Sequence, residues 1–138
     1  MGGTRRLGRH LRVETSGLGQ ISVMNESPIF ARTHDLLLWL LPQATKFPRV
    51  HRFGLGERLV RQALDFQETL ITAGLDKGQG RKEGLQQADV QLALLRHWVR
   101  LCKDLELLTV AQYAHVSGMV IEIGRLLGSW KKKLNGAG

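Results

Sequence analysis

LALLRHWVRLCKDLELL (92–108) and VIEIGRLLGSWKKK (120–133) decide the fold. In the first, Leu92, Leu95, Val99 and Cys102 recur at alternating spacings of three and four, continuing a series begun by Leu85 and Ala88. In the second, Val120, Ile123, Leu127 and Trp130 extend the series of Tyr113 and Val116. That period belongs to helices with one apolar seam packed in a bundle, and it predicts helices over Leu85–Leu107 and from Thr109 onward. Thr109 and Gln112 form the pattern of a capping box at the start of the last helix. Lys131-Lys132-Lys133 suits its negative C-terminal pole and should end it.

Helix 85–107 carries a second apolar stripe, Leu94, Trp98, Leu101 and Leu105. At about 100° per residue the two stripes cover roughly half the circumference, more than a peripheral bundle helix needs. The excess predicts a second buried surface, hence oligomerisation; the alternative is a central helix in a compact monomer. On the last helix, Ser117, Gly124 and Gly128 share one edge. Glycine inside a helix costs about 1 kcal/mol against alanine, which points to a compensating close contact there.

Two further helices precede these. Ser27-Pro28 offers an N-cap with proline at the first helical position. Phe30, Thr33, Leu37, Leu40, Ala44 and Phe47 then form a seam whose register continues through Pro42, so the proline should kink the helix without ending it. Lys46-Phe47-Pro48-Arg49 is the turn. The second helix is expected over Val50–Ala73, with Gly56, Leu59, Ala63, Phe66 and Leu70 as its seam, widened by Val60, Leu64 and Ile71. Gly74–Gly84, holding four glycines among charges, is expected to be a mobile basic loop. No alternating β-rich run occurs. The expected architecture is therefore all-α, an antiparallel up-down four-helix bundle over residues 27–134. Residues 1–26 are expected to form a basic, flexible N-terminal arm before it; Met1–Val23 hold four arginines, Arg5, Arg6, Arg9 and Arg12, with five glycines.

The charge balance limits the partners. Twenty Lys and Arg against 12 Asp and Glu leave the 138-residue chain at +8, and removing the four arginines and Glu14 of residues 1–23 still leaves +5. Such a surface attracts polyanions. The single Cys102 excludes an internal disulfide and suits the reducing cytoplasm. No run approaches the ~20 apolar residues of a spanning helix, and no membrane partner is expected. The N-terminus lacks the apolar core of a secretory signal, and Arg6 breaks the myristoylation pattern.

Chemistry-bearing residues are scattered. Glu57, Arg61 and Asp65 succeed one another at i, i+4, as on a solvated ion-pair face. His34, His51, His97 and His115 lie on different elements with no metal-ligand spacing. Cys102 falls on the seam of helix 85–107 as a small buried apolar residue. Gly54-Leu55-Gly56 lacks the preceding strand of a phosphate loop. The Arg-x₄₋₆-His pattern of small helical ribonucleases occurs only as Arg5–His10, in the arm. No enzyme, cofactor or metal is expected.

The cations are more informative. Arg96 and Arg100 stand one helical turn apart, with Lys103 next at i+7, flanking the apolar seam. Like charges at i, i+4 repel; Asp104 can pair with Arg100, while nothing on the helix relieves Arg96. Arg49, Arg52 and Arg58 begin the second helix, and Arg125, Lys131 and Lys132 lie near the end of the last. These nine residues are the candidate contacts to nucleic acid or an acidic partner. Phosphate contacts of this kind supply mainly sequence-independent affinity.

FPRVHRFGLGERLVRQAL (47–64), LALLRHWVRLCKDLELLTVAQY (92–113) and EIGRLLGSW (122–130) together resemble the accessory variability determinant proteins of diversity-generating retroelements. The wider group includes four-helix proteins encoded in intervening sequences of bacterial 23S rRNA genes. The resemblance runs from about Thr33 to Lys132. It implies a non-catalytic four-helix protein that assembles as a pentameric barrel. The implied partners are the retroelement's reverse transcriptase and its template-repeat RNA or DNA, in mutagenic retrohoming. Arg96 and Arg100 fall in the motif of the third helix, Arg125 in that of the fourth. The arm has no place in the family pattern. A stand-alone RNA-associated protein of the intervening-sequence type, without a polymerase, is the alternative, and neighbouring genes separate the two.

Overall fold

The computed structural model describes residues 27–137, and the arm expected over residues 1–26 lies outside them. Four long helices follow one another: α1 Pro28–Thr45, α2 Glu57–Leu75, α3 Gly78–Asp104 and α4 Val110–Ala137. Each packs on the next and α4 returns to α1, which closes an up-down bundle. Cross-helix pairs fix the antiparallel order. Lys103 meets Tyr113 at one end of the α3/α4 pair and Lys131 meets Asp89 near the other, while Phe30 of α1 lies edge-on to Trp130.

The seams drawn from spacing form the core. Leu85, Ala88, Leu92, Leu95, Val99 and Cys102 of α3 are all buried, as are Leu59, Ala63, Phe66 and Leu70 of α2 and Val116, Val120, Ile123 and Leu127 of α4. On α1, Thr33 is buried with them because its hydroxyl donates to the Ile29 carbonyl at 2.7 Å, satisfying the only polar atom of its side chain. The residues expected to widen the α2 seam do not join the core: Leu64 and Ile71 keep 42% and 38% of their surface exposed. Helix α1 continues through Pro42 to Thr45, as the unbroken register required.

Helix ends follow the local chemistry in most cases. The capping box closes as expected: the Thr109 hydroxyl accepts from Gln112 N–H at 3.0 Å, and the Gln112 side-chain oxygen accepts from Thr109 N–H at 2.9 Å. Ser27 stands at the N-cap of α1 but its side chain makes no capping bond. The end of α3 is a Schellman motif. Leu107 N–H donates to Cys102 O at 2.8 Å and Glu106 N–H to Lys103 O at 2.9 Å, with Glu106 held at φ 61°. Helix α4 runs past the three lysines to Ala137, so they lie within it and do not terminate it.

Two expected boundaries are corrected. Gly74–Gly84 is no loop: α2 extends to Leu75, α3 begins at Gly78, and only Asp76-Lys77 intervene. Arg81 fastens this turn, donating from Nε to Ala73 O at 3.0 Å and from Nη2 to Gly74 O at 2.9 Å, so it satisfies carbonyls at the end of α2. Glycine at 84 serves close packing, since a Cβ there would stand 2.9 Å from the Ala73 Cβ. The second helical stretch is also not uniform. A short turn at Arg49–His51 leads into a π-helical turn, Arg52–Gly56, before α2 proper. The wider turn leaves Phe53 65% exposed.

Candidate nucleic-acid and partner interface

The α3 cations lie on the flank that faces α4. Lys103 projects its ammonium over the Tyr113 ring, 5.0 Å from its centroid, and also stands 3.6 Å from the Asp104 carboxylate. Arg100 reaches the same carboxylate at 3.9 Å, the pairing expected from their i, i+4 spacing. Both members are more than half exposed, so the pair leaves most of the Arg100 charge to solvent. Arg96 makes no ion pair among the described residues. Its guanidinium lies across α4 at Gly124, where a Cβ would stand 3.4 Å from Nη2 and 3.6 Å from Leu92 Cδ2. Gly124 therefore has a packing reason within the chain itself. Gly128 has none, with nothing among the described residues within 4 Å of the corresponding position.

Arg125 follows Gly124 directly and is exposed, and Lys132, seven residues on, continues its face. Lys131 turns the other way, bonded to the Asp89 carboxylate and to the Gln86 side-chain oxygen at 3.1 Å, so its charge is paired at the α3/α4 surface. The edge of α3 that faces α4 thus carries Arg96, Arg100 and Lys103, with Lys131 beside it as a structural tie, while Arg125 and Lys132 stand on the outward face of α4.

Arg49, Arg52 and Arg58 do not join this ridge. They sit where the chain enters α2. Arg52 donates from Nε to Phe47 O at 3.3 Å, and Arg58 lies 6.0 Å above the Trp98 ring on the α2/α3 side. Arg49 is exposed and unpaired among the described residues. The sequence missed both arrangements. Tyr113 stood on the α4 seam with nothing to mark it as a seat for Lys103, and the π-helical turn has no simple sequence signal beyond Phe53-Gly54.

The remaining candidates resolve simply. Cys102 is fully buried and loss of solvation pushes its thiol up to about 11, so it is held as the neutral thiol. His34, His97 and His115 are exposed and His51 half-buried; His97 and His115 lie against Trp98 and Trp39. No group of three or more His, Cys, Asp or Glu among the described residues is placed to hold a metal ion. Glu57, Arg61 and Asp65 are exposed, but no ion pair joins them; they line a groove beside α1.

The second α3 stripe stays at the surface. Leu94 and Leu105 are 39% and 45% exposed and Trp98 and Leu101 half-buried, so the chain's own helices do not cover it. Trp98 Nε1 and Gln91 Oε1 are enclosed without a hydrogen-bond partner among the described residues. No described helix is long and apolar enough to cross a membrane.

No curated protein matches the chain. A family model, bAvd-like, matches residues 28–134, which take in all of α1, α2 and α3 and most of α4. The all-helical bundle and its basic α3/α4 flank stand on those same residues, and the chain belongs to this bAvd-like family of non-catalytic accessory proteins of the diversity-generating retroelement type.

Proposed function

We propose that the protein is a cytoplasmic accessory subunit of a diversity-generating retroelement. It holds the element's reverse transcriptase and template-repeat RNA, or the DNA copied from it, on the α3/α4 basic flank during mutagenic retrohoming. The observation that carries this function is the run Arg96, Arg100 and Lys103 along the edge of α3 that faces α4, supplemented by Arg125 and Lys132 exposed on α4. Only Asp104 is paired with any of these five cations among the described residues. Cations at one-turn spacing suit successive phosphates or an acidic protein surface, and they bind without performing chemistry.

Ring assembly, a pentamer in this proposal, would repeat the flank and sum its field. The uncovered Leu94, Trp98, Leu101 and Leu105 stripe supports assembly, because an apolar face of this kind favours burial against another surface.

The test is the double variant Arg96→Glu/Arg100→Glu, assayed for binding to the polymerase and to template RNA at fixed salt. Loss of both with unchanged helicity is expected. For RNA, the slope of log affinity against log salt should also become shallower by roughly 1.4, about 0.7 for each single-strand phosphate that the variant no longer neutralises. Unchanged binding of both partners would remove the assignment.

A further inference from the structure

On the side of the bundle opposite the basic flank, α1 and α2 leave a groove of about 510 Å³. Its apolar floor includes Phe53, Val60 and Leu64, while Glu57, Asp65 and Glu68 supply three carboxylates. Arg61 also lines it, and so does Arg52, which is engaged with the Phe47 carbonyl. An apolar strip leads to the groove from the far end of the bundle. Ile71 and Leu75 continue the face of Val60 and Leu64 along α2, and Leu38 shares the α1 face of Thr45, which lines the groove. Leu38, Phe53, Leu64, Ile71 and Leu75 are all exposed.

The strip begins where the chain enters α1. Antiparallel packing sets Ser27 at the same end of the bundle as Leu75, and 26 residues precede it. Extended, the 13 residues between Val13 and Ser27 reach up to about 45 Å, against about 27 Å for the 18 residues of α1. Among them Thr4–Val13 combines Arg5, Arg6, Arg9 and Arg12 with Leu7, Leu11 and Val13 and contains no acidic residue. That composition matches an apolar floor with a carboxylate rim, a rim that is unusual on a chain of net charge +8.

We propose that Thr4–Val13 docks in the α1/α2 groove of its own chain, its leucines on Phe53, Val60 and Leu64 and its arginines on Glu57, Asp65 and Glu68. The segment is then a second binding element of the protein, directed at its own bundle and separate from the α3/α4 flank. The groove and that flank lie on opposite sides, so docking can be read without reference to RNA.

The test places a photo-cross-linking amino acid at Leu11 of the full chain and maps the adducts by mass spectrometry, with isotope-mixed protein separating contacts within a chain from contacts between chains. Adducts within a chain on residues 52–68 are expected. Reversing the rim with Glu57→Lys/Asp65→Lys/Glu68→Lys should lower their yield about tenfold, since several weak surface pairs become repulsive together. Arg5→Gln/Arg6→Gln/Arg9→Gln/Arg12→Gln leaves the bundle untouched and should lower the yield comparably, whatever the rim variant does to folding. Adducts on α3 or α4, adducts to a second copy, no adduct, or a yield indifferent to the arginine variant would each overturn the proposal.

Discussion

Glu106 occupies the left-handed position that ends α3, at φ 61°, with its side chain exposed. A residue with a Cβ pays roughly 1–2 kcal/mol to stay there, because the Cβ crowds the neighbouring carbonyl. Glycine removes that cost, but its freer unfolded chain returns about 0.5–1 kcal/mol. Both capping bonds are made by main-chain groups, from Glu106 to Lys103 and from Leu107 to Cys102, and survive the change. Glu106→Gly should therefore stabilise the bundle by a net ~0.5–1 kcal/mol and raise the melting temperature by about 2–6 °C for a domain of this size. Urea unfolding monitored by far-UV circular dichroism measures it, with Glu106→Ala as control. Alanine keeps the Cβ, so it should leave stability within about 0.5 kcal/mol. Equal effects from glycine and alanine would show that the side chain, and not the backbone conformation, sets the energy, and would refute the reasoning.

Other outcomes follow from the same geometry. Gly84→Ala should destabilise despite alanine's better helix propensity, because its Cβ meets that of Ala73 at 2.9 Å; Ala73→Gly in the same chain should restore most of the loss, measured as a double-mutant cycle. Thr109→Ala removes an acceptor of the capping box and should cost about 1 kcal/mol in chemical denaturation. Gly128→Ala meets open space and should stabilise by about 1 kcal/mol in thermal melts; a loss instead would mean that another backbone packs there. Cys102 should react with a thiol reagent only as the protein unfolds. Its folded pKa is raised from 9.0 to about 11 by burial, so the unfolded thiol ionises first. Stability should accordingly be unaffected by this group below pH 9 and decline as pH rises from 9 toward 11, a trend that Cys102→Ala should remove.

The sequence by itself determined the four helices, their core seams, the passage through Pro42 and the capping box at Thr109. Each depends on residues within a few positions of one another, where helical periodicity and side-chain-to-backbone bonding act directly. It also marked Arg96 as a charge with no relief on its own helix. Tertiary structure alone decided what distant elements do to one another. Arg81 turned an apparent glycine loop into a two-residue turn by reaching back to the end of α2. Gly124 acquired its reason from Arg96 on another helix, and Asp89 took Lys131 out of the basic flank. Arg49, Arg52 and Arg58 stood at the entry to α2, away from that flank, and Phe53 of the π-helical turn lined a groove. Like-charged residues read together in one dimension parted in three, because each helix face is assigned by its packing partner and not by its composition.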